Sequence, residues 1–342
     1  MRRITVLLTL CVAGPVAAVN AQATTLGIDG SRFTLNGKPT FLLGFSYYGA
    51  LGASEDFIRQ DLDDAQRHRF NWLRVWVTWE GFGHDVSAVD PTGKPRQPYM
   101  DRLKWLVAEC DRRGLIVDLT LTRGNSPADA PIAGRLANYE SHKRAVEALV
   151  NTLKPHRNWF LDLANERDVR DARYVPVDEL KTMRALVRRL SPTRVVTASF
   201  GGGDRTEKDL RDALLTAKLD FICPHRPRDA KSPGQTEAWT RRSLELMKKV
   251  DRVAPVLYQE PFRRGYTAWE PSATDFLADL RGAVAGGAAG WCFHNGSQAG
   301  TPDKEPRRSF DLHNRRLFDQ LDAEEQKVVR EVDATVHPTP AP

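Results

Sequence analysis

The 342-residue chain is 41% hydrophobic and 27% charged, with 24 Gly and 21 Pro. Those proportions exclude a disordered, collagen-like or low-complexity protein, and the length suffices to bury a full α/β core without staples. The formal charge of +6 comes from interspersed residues of both signs. That pattern argues against a nucleic-acid partner, which would want a basic stripe interleaved with aromatics.

At the start of the chain, Arg2 and Arg3 precede an apolar stretch from Ile4 to Val19, and Ala21-Gln22-Ala23 supplies small residues at cleavage spacing. This layout predicts a secretory signal peptide over 1–23, and hence a secreted or periplasmic protein. No later apolar run is long enough to cross a bilayer. Beyond the signal, Cys110, Cys223 and Cys292 are widely spaced and odd in number, which suits buried free thiols better than a disulfide framework.

In chain order, Arg32 to Pro39 carries Asn36-Gly37 between strand-like residues, the signature of a β-hairpin. Eight β-rich runs follow: 41–45, 71–79, 115–122, 158–166, 194–200, 219–225, 255–260 and 288–293. Several, such as Leu115-Ile116-Val117, are continuously apolar, as strands buried on both faces are. Segments of helical spacing separate them. Leu103, Leu106, Val107 and Cys110 share one helix face before Gly114, and Ser272 to Val284 precedes Gly286-Gly287. A last amphipathic segment spans 314–332, and 333–342 reads as a fraying, Pro-rich tail. Eight strand-plus-helix units predict a single (β/α)8 barrel over 24–332, with the hairpin under its floor. A doubly wound open sheet is the alternative, but the first strand leads into Ser46-Tyr47-Tyr48 rather than a glycine-rich turn.

In such a barrel, polar residues that end strands converge on one open face. The fourth run ends Leu163-Ala164-Asn165-Glu166, and the seventh ends Tyr258-Gln259-Glu260. A carboxylate closing an apolar strand is costly as core filling. Two of them on nearly opposite strands can flank a small polar substrate, and glycoside cleavage needs such a pair. One carboxyl protonates the leaving oxygen while the other attacks, or activates water, on the opposite face of the sugar.

Taken with Arg74 in Asn71-Trp72-Leu73-Arg74-Val75 and with Trp291, these residues resemble the glycoside hydrolase clan whose catalytic carboxylates lie on strands four and seven. Within that clan, family 5 of cellulases and mannanases is the most similar. The resemblance runs from Phe33 to Trp291. It implies Glu166 as general acid/base, Glu260 as nucleophile, Arg74 as its partner, Asn165 as a hydrogen-bond partner of the sugar 2-hydroxyl, and Trp291 beneath the bound sugar. It further implies a retaining enzyme, because the clan holds its carboxylates about 5–5.5 Å apart. Arg74 would keep Glu260 ionised, whereas Glu166, with no matched cation, would hold its proton near neutrality.

Two positions depart from the family pattern. His225-Arg226-Pro227 keeps the strand-six histidine but lacks the tyrosine that holds the nucleophile, and Arg123 stands where a histidine is common. Tyr258, two residues before Glu260, is a candidate for the missing phenol, and His225 for a hydrogen-bonding wall. Trp79 and Trp269 are candidate sugar platforms, since ring faces suit sugar C–H faces. No HExxH, close histidine pair or phosphate loop occurs, so neither metal nor cofactor is expected. The partner expected is a carbohydrate and the protein a monomer. An exo-β-glycosidase or transglycosylase on the same fold, and a non-catalytic saccharide-binding barrel, are the alternatives.

Overall fold

The computed structural model describes residues 23–125, 132–295 and 310–337. The segment expected to be a signal peptide therefore lies, but for Ala23, outside the described residues. All eight expected strands are present. They are β1 (Leu42–Tyr47), β2 (Trp72–Trp76), β3 (Ile116–Thr120), β4 (Trp159–Asp162), β5 (Val196–Thr197, resuming as Ser199–Phe200), β6 (Cys223–Pro224), β7 (Leu257–Tyr258) and β8 (Gly290–Phe293).

Parallel pairing runs β5-β4-β3-β2-β1-β8-β7. The second half of β5 pairs with β6, and a parallel bridge between Ile222 and Val256 joins that side to β7, closing the ring. The closing side is the more irregular one. Pro224 and Pro255 have no N–H to give a ladder, so β6 and β7 shrink to two residues each.

Among the described residues, eight α-helices alternate with the strands: α1 (Glu55–Arg67), α2 (Tyr99–Arg112), α3 (Tyr139–Leu153), α4 (Val177–Leu190), α5 (Glu207–Leu210, continuing as a π-helical turn), α6 (Ser232–Lys249), α7 (Ala273–Gly286) and α8 (Ala323–Val336). Their ends follow local chemistry. Ser272 closes a capping box with Asp275, and Gly287 ends α7 in the left-handed region at φ 88°. Among the described residues no helix is long and apolar enough to cross a membrane.

The chain differs from its expected layout at both ends. The hairpin is the second half of a three-stranded antiparallel sheet, in which Leu26–Asp29 also pairs with Arg32–Leu35. Asn36 and Gly37 both take positive φ at the turn, as a type I′ connection requires. At the other end, α8 starts only at Ala323. Asp61 accepts the N–H groups of Leu317 and Phe318, a 3-10 turn spans Phe318–Gln320, and Asp322 then caps α8. The helix runs past Val332 to Val336, which packs on the core, and 338–342 of the expected tail lie outside the described residues.

Side chains inside the barrel follow the period of two and form layers. The floor is apolar: Leu42, Trp72, Ile116, Phe160, Phe221 and Leu257 surround Phe33 from the N-terminal sheet. Gly44 makes room for this layer, because a Cβ there would lie 2.3 Å from the Trp72 ring. Gly44→Ala is expected to cost about 1–3 kcal/mol by overpacking, read as a lower urea midpoint with unchanged m-value. One step up, Arg74 pairs in register with Ser46 and Asp118, and Trp76 then opens on the mouth. Polarity thus rises from floor to rim along single strands.

Candidate active site

Arg74 is fully buried at the barrel's middle layer, and its guanidinium reaches groups on or just beyond β3, β4 and β7. Nε donates to Thr120 Oγ1 at 3.0 Å, Nη2 to Asn165 Oδ1 at 2.9 Å, and Nη1 to Glu260 Oε1 at 2.5 Å. Asp162 lies 3.4 Å from Nη2, and Asp118 lies 3.6 Å from Nε. Gln259 donates to Asp118 from the β7 side at 2.5 Å. A charged arginine is tolerated here because every fork atom meets an acceptor.

Glu260 is 4% exposed and receives more than Arg74. Arg228 Nη2 donates to its Oε2 at 2.6 Å, while His294 Nε2 lies 3.5 Å and His225 Nδ1 3.6 Å from the same oxygen. Burial by itself would raise this carboxyl. Its interactions with the imidazoles of His225 and His294 and with the guanidiniums of Arg74 and Arg228 outweigh burial and hold it well below the usual glutamate range. His294 is driven the other way. Burial, together with Arg263, Arg228 and Arg74, pushes its pKa well down, so the ring is neutral. Its Nδ1–H then donates to Ser46 Oγ at 2.8 Å and its Nε2 accepts from Arg263 at 3.1 Å.

Glu166 faces Glu260 from the end of β4. One carboxylate oxygen of each, with His225 Nδ1, lie within 4.8 Å of one another. The Glu166 backbone is left-handed at φ 49°, a costly state for a non-glycine residue, and Ser199 Oγ holds it by accepting its N–H at 3.0 Å. The kink lies beyond β4, which ends at Asp162, and turns the carboxyl into the mouth. Glu166 has a cationic partner, Arg173, that the sequence did not reveal. His225 Nδ1 lies 3.1 Å from Oε1, and Arg173 pairs with Oε2 while also gripping Asp171. Burial favours the protonated form, but the His225 hydrogen bond and the charge of Arg173 prevail and lower the pKa. The absence of a matched cation, expected for Glu166, is thereby corrected.

Glu166, Glu260 and His225 are also the one group among the described residues whose donors could converge on a metal ion. Their oxygens are already occupied by Arg74, Arg228 and Arg173, and a dication would have to displace these guanidinium contacts. The donor set is a poor fit for a metal.

The mouth is a cavity of about 230 Å³, lined by Tyr48, Trp76, Trp79, Asn165, Tyr266 and the charged groups. A cavity of ~150 Å³ accepts benzene, so this one is on the scale of a single sugar ring. A second cavity of about 250 Å³ adjoins it on the β2–β4 side, sharing Trp76, Trp79, Asn165 and Arg173. Trp79 stands at the junction of the two, half-buried against Tyr48.

Three other candidates lie elsewhere. Trp291 is fully buried beneath α7, its indole N–H bonded to Asp279 at 2.7 Å, and it does not line the cavity. Its position on β8 points it at the helical layer, and His294, three residues on, reaches the mouth instead. Trp269 packs edge-on against Phe262, with centroids 5.0 Å apart, as part of the outer core. Tyr258 points outward as well, its hydroxyl sharing a 2.7 Å bond with Thr240 of α6. Two residues along a strand restore the same face, but β7 ends at Tyr258 and the chain turns before Glu260. The oxygen of Glu260 left by the missing tyrosine is taken by Arg228, one residue beyond Pro227. Arg173, Arg228 and Arg263 were not singled out from sequence, because loop arginines are ordinary surface residues until the fold gathers them.

No family model matches the chain, and no curated protein matches it either. Solved structures do. An endo-1,4-β-mannanase from Rhizomucor miehei superposes with a TM-score of 0.68 at 14% identity, covering 92% of this chain and 99% of that one. A family 5 mannosidase from the same organism gives 0.65 at 14%, over 94% and 99%. An endo-β-1,4-mannanase from Thermotoga petrophila gives 0.62 at 15%, over 90% and 79%. The chain has the (β/α)8 barrel fold of these structures. Within that barrel, Glu166 and Glu260 stand just beyond the ends of β4 and β7, and Arg74 joins them from β2.

Proposed function

We propose that the protein is an exported retaining β-glycosidase, active on a poly- or oligosaccharide without a metal. The reading is carried by one observation: carboxylate oxygens of Glu166 and Glu260 within 4.8 Å of each other across the mouth. Retaining pairs stand about 5–5.5 Å apart, whereas inverting pairs leave about 6.5–9.5 Å for a water. Glu260, held ionised by Arg74 and Arg228, attacks the anomeric carbon, and the bond to the leaving oxygen breaks as Glu166 gives that oxygen its proton. Glu166 then takes a proton from water, which displaces Glu260 and releases the sugar. Asn165, anchored by Arg74, faces the cavity where a sugar hydroxyl would lie. The cavity beyond Arg173 supports a second sugar position, with Trp79 as the ring between them.

An acid catalyst must carry a proton, and Arg173 works against that. The sugar therefore has to draw Arg173 off Glu166, leaving burial and the charge of Glu260 to raise its pKa. Replacing Arg173 by Met removes a cation that favours the carboxylate, so the pKa of Glu166 rises. The basic limb of the kcat/KM profile is expected to move to higher pH, with the acidic limb in place. An unmoved basic limb would show that Arg173 does not govern the acid.

Hydrolysis of aryl β-glycosides and a polysaccharide panel, with the first-formed anomer followed by NMR, tests the assignment. Retained configuration supports it. An inverted first product, or no hydrolysis anywhere in the panel, counts against it. Export is proposed from the sequence of residues 1–23 alone.

A further inference from the structure

Two arginines at the mouth do more than the two-carboxylate chemistry asks. The guanidiniums of Arg228 and Arg263 lie 4.5 Å and 4.0 Å from the centre of the same Tyr266 ring. Arg228 is balanced by Glu260. Arg263 has no carboxylate partner among the described residues, although it is only 8% exposed. Its two hydrogen bonds among the described residues, to Tyr48 Oη and to His294 Nε2, leave from Nη1 at 3.1 Å. The Nε atoms of both arginines are buried without an acceptor. Burying a cation so incompletely satisfied is unfavourable, and a second guanidinium over the same ring adds repulsion. Around the cavity three guanidiniums, of Arg173, Arg228 and Arg263, face two carboxylates.

We propose that Arg228 and Arg263 form a subsite for an anionic group carried by the sugar, a carboxylate or a sulfate, so that the substrate is an acidic glycan. A planar, permanently charged fork is the side chain best matched to such an oxyanion. The anion would supply the acceptor that Arg263 lacks, beside the ring that Glu260 attacks. Turnover of that glycan rests on the glycosidase reading, whereas binding of the anion does not.

The test uses matched sugars. Cellotetraose and mannotetraose, their 6-carboxylate counterparts (β-linked tetraglucuronate and tetramannuronate) and their 6-O-sulfated forms are titrated calorimetrically into the full-length protein, with hydrolysis followed in parallel. At least one charged sugar is expected to bind about tenfold or more tightly than its neutral counterpart. Preference for the carboxylates identifies a uronate, and preference for the sulfates a sulfated sugar. Arg263→Gln is expected to erase most of that preference, and Arg263→Lys to keep part of it. Equal or weaker binding of every charged sugar overturns the proposal, as does a folded Arg263→Gln that keeps the preference. The wild-type comparison decides alone if that variant does not fold. Hydrolysis of neutral sugars with no charge preference leaves the glycosidase reading standing, and tight binding of a charged sugar without any hydrolysis does the reverse.

Discussion

Glu260→Ala is expected to lose at least ~10⁴-fold in kcat on an aryl β-glycoside, the scale on which removal of a nucleophile acts. Azide should then restore turnover and give the α-glycosyl azide, because a small anion can enter the space of the missing carboxylate and attack from the same side. Glu166→Ala should behave differently. With a good leaving group it still forms the glycosyl-enzyme, and azide should trap that intermediate as the β-azide. Opposite anomers from the two variants would assign nucleophile and acid/base separately. Glu260→Ala turning over within tenfold of wild type would refute the assignment. Arg74 and Arg228 both lose an acceptor in this variant, so its folding must be checked by circular dichroism.

Arg74→Met is expected to destabilise the protein by about 3–5 kcal/mol, as breaking one side of a buried ionic network does. Arg74 is fully buried and serves Glu260, Asp162, Asn165 and Thr120 at once. Methionine fills the space but leaves carboxylates enclosed without their cation. The loss should depend on pH with a definite sign. Glu260 has a folded-state pKa below its unfolded value, so its contribution is present above the ordinary glutamate range and is lost as pH falls through the folded pKa. The gap between wild type and Arg74→Met is therefore expected to be widest near neutral pH and to narrow in acid. Urea unfolding at both conditions measures it. Arg74→Lys keeps a charge but cannot span the same acceptors, so it should recover only part of the loss. A loss under about 1 kcal/mol at neutral pH would mean that the network is not what holds the middle layer.

Much of the fold is legible in the chain because barrel strands announce themselves locally. Leu115-Ile116-Val117 and Arg194-Val195-Val196 are apolar on both faces, and glycine closes the helix before one of them at Gly114. Glu166 and Glu260 stand out for a related reason, as carboxylates that end apolar runs. Orientation is another matter. Trp291 and Tyr258 sit on the right strands but face the helices, because β7 and β8 present alternate residues outward and β7 stops two residues short of Glu260. Arg173, Arg228 and Arg263 come from three separate loops, and nothing in their neighbours marks them.

What the linear order of residues determined by itself is the repeat: eight apolar strands, eight helices, two terminal acids and one arginine in a strand, all set by local burial and turn chemistry. What tertiary structure decided is electrostatic. Ring closure brings Arg173 to Glu166 and Arg228 to Glu260, holds His294 neutral, and leaves Arg263 without a carboxylate among the described residues. Charge acts through space at a few ångströms, and only the closed barrel sets those distances.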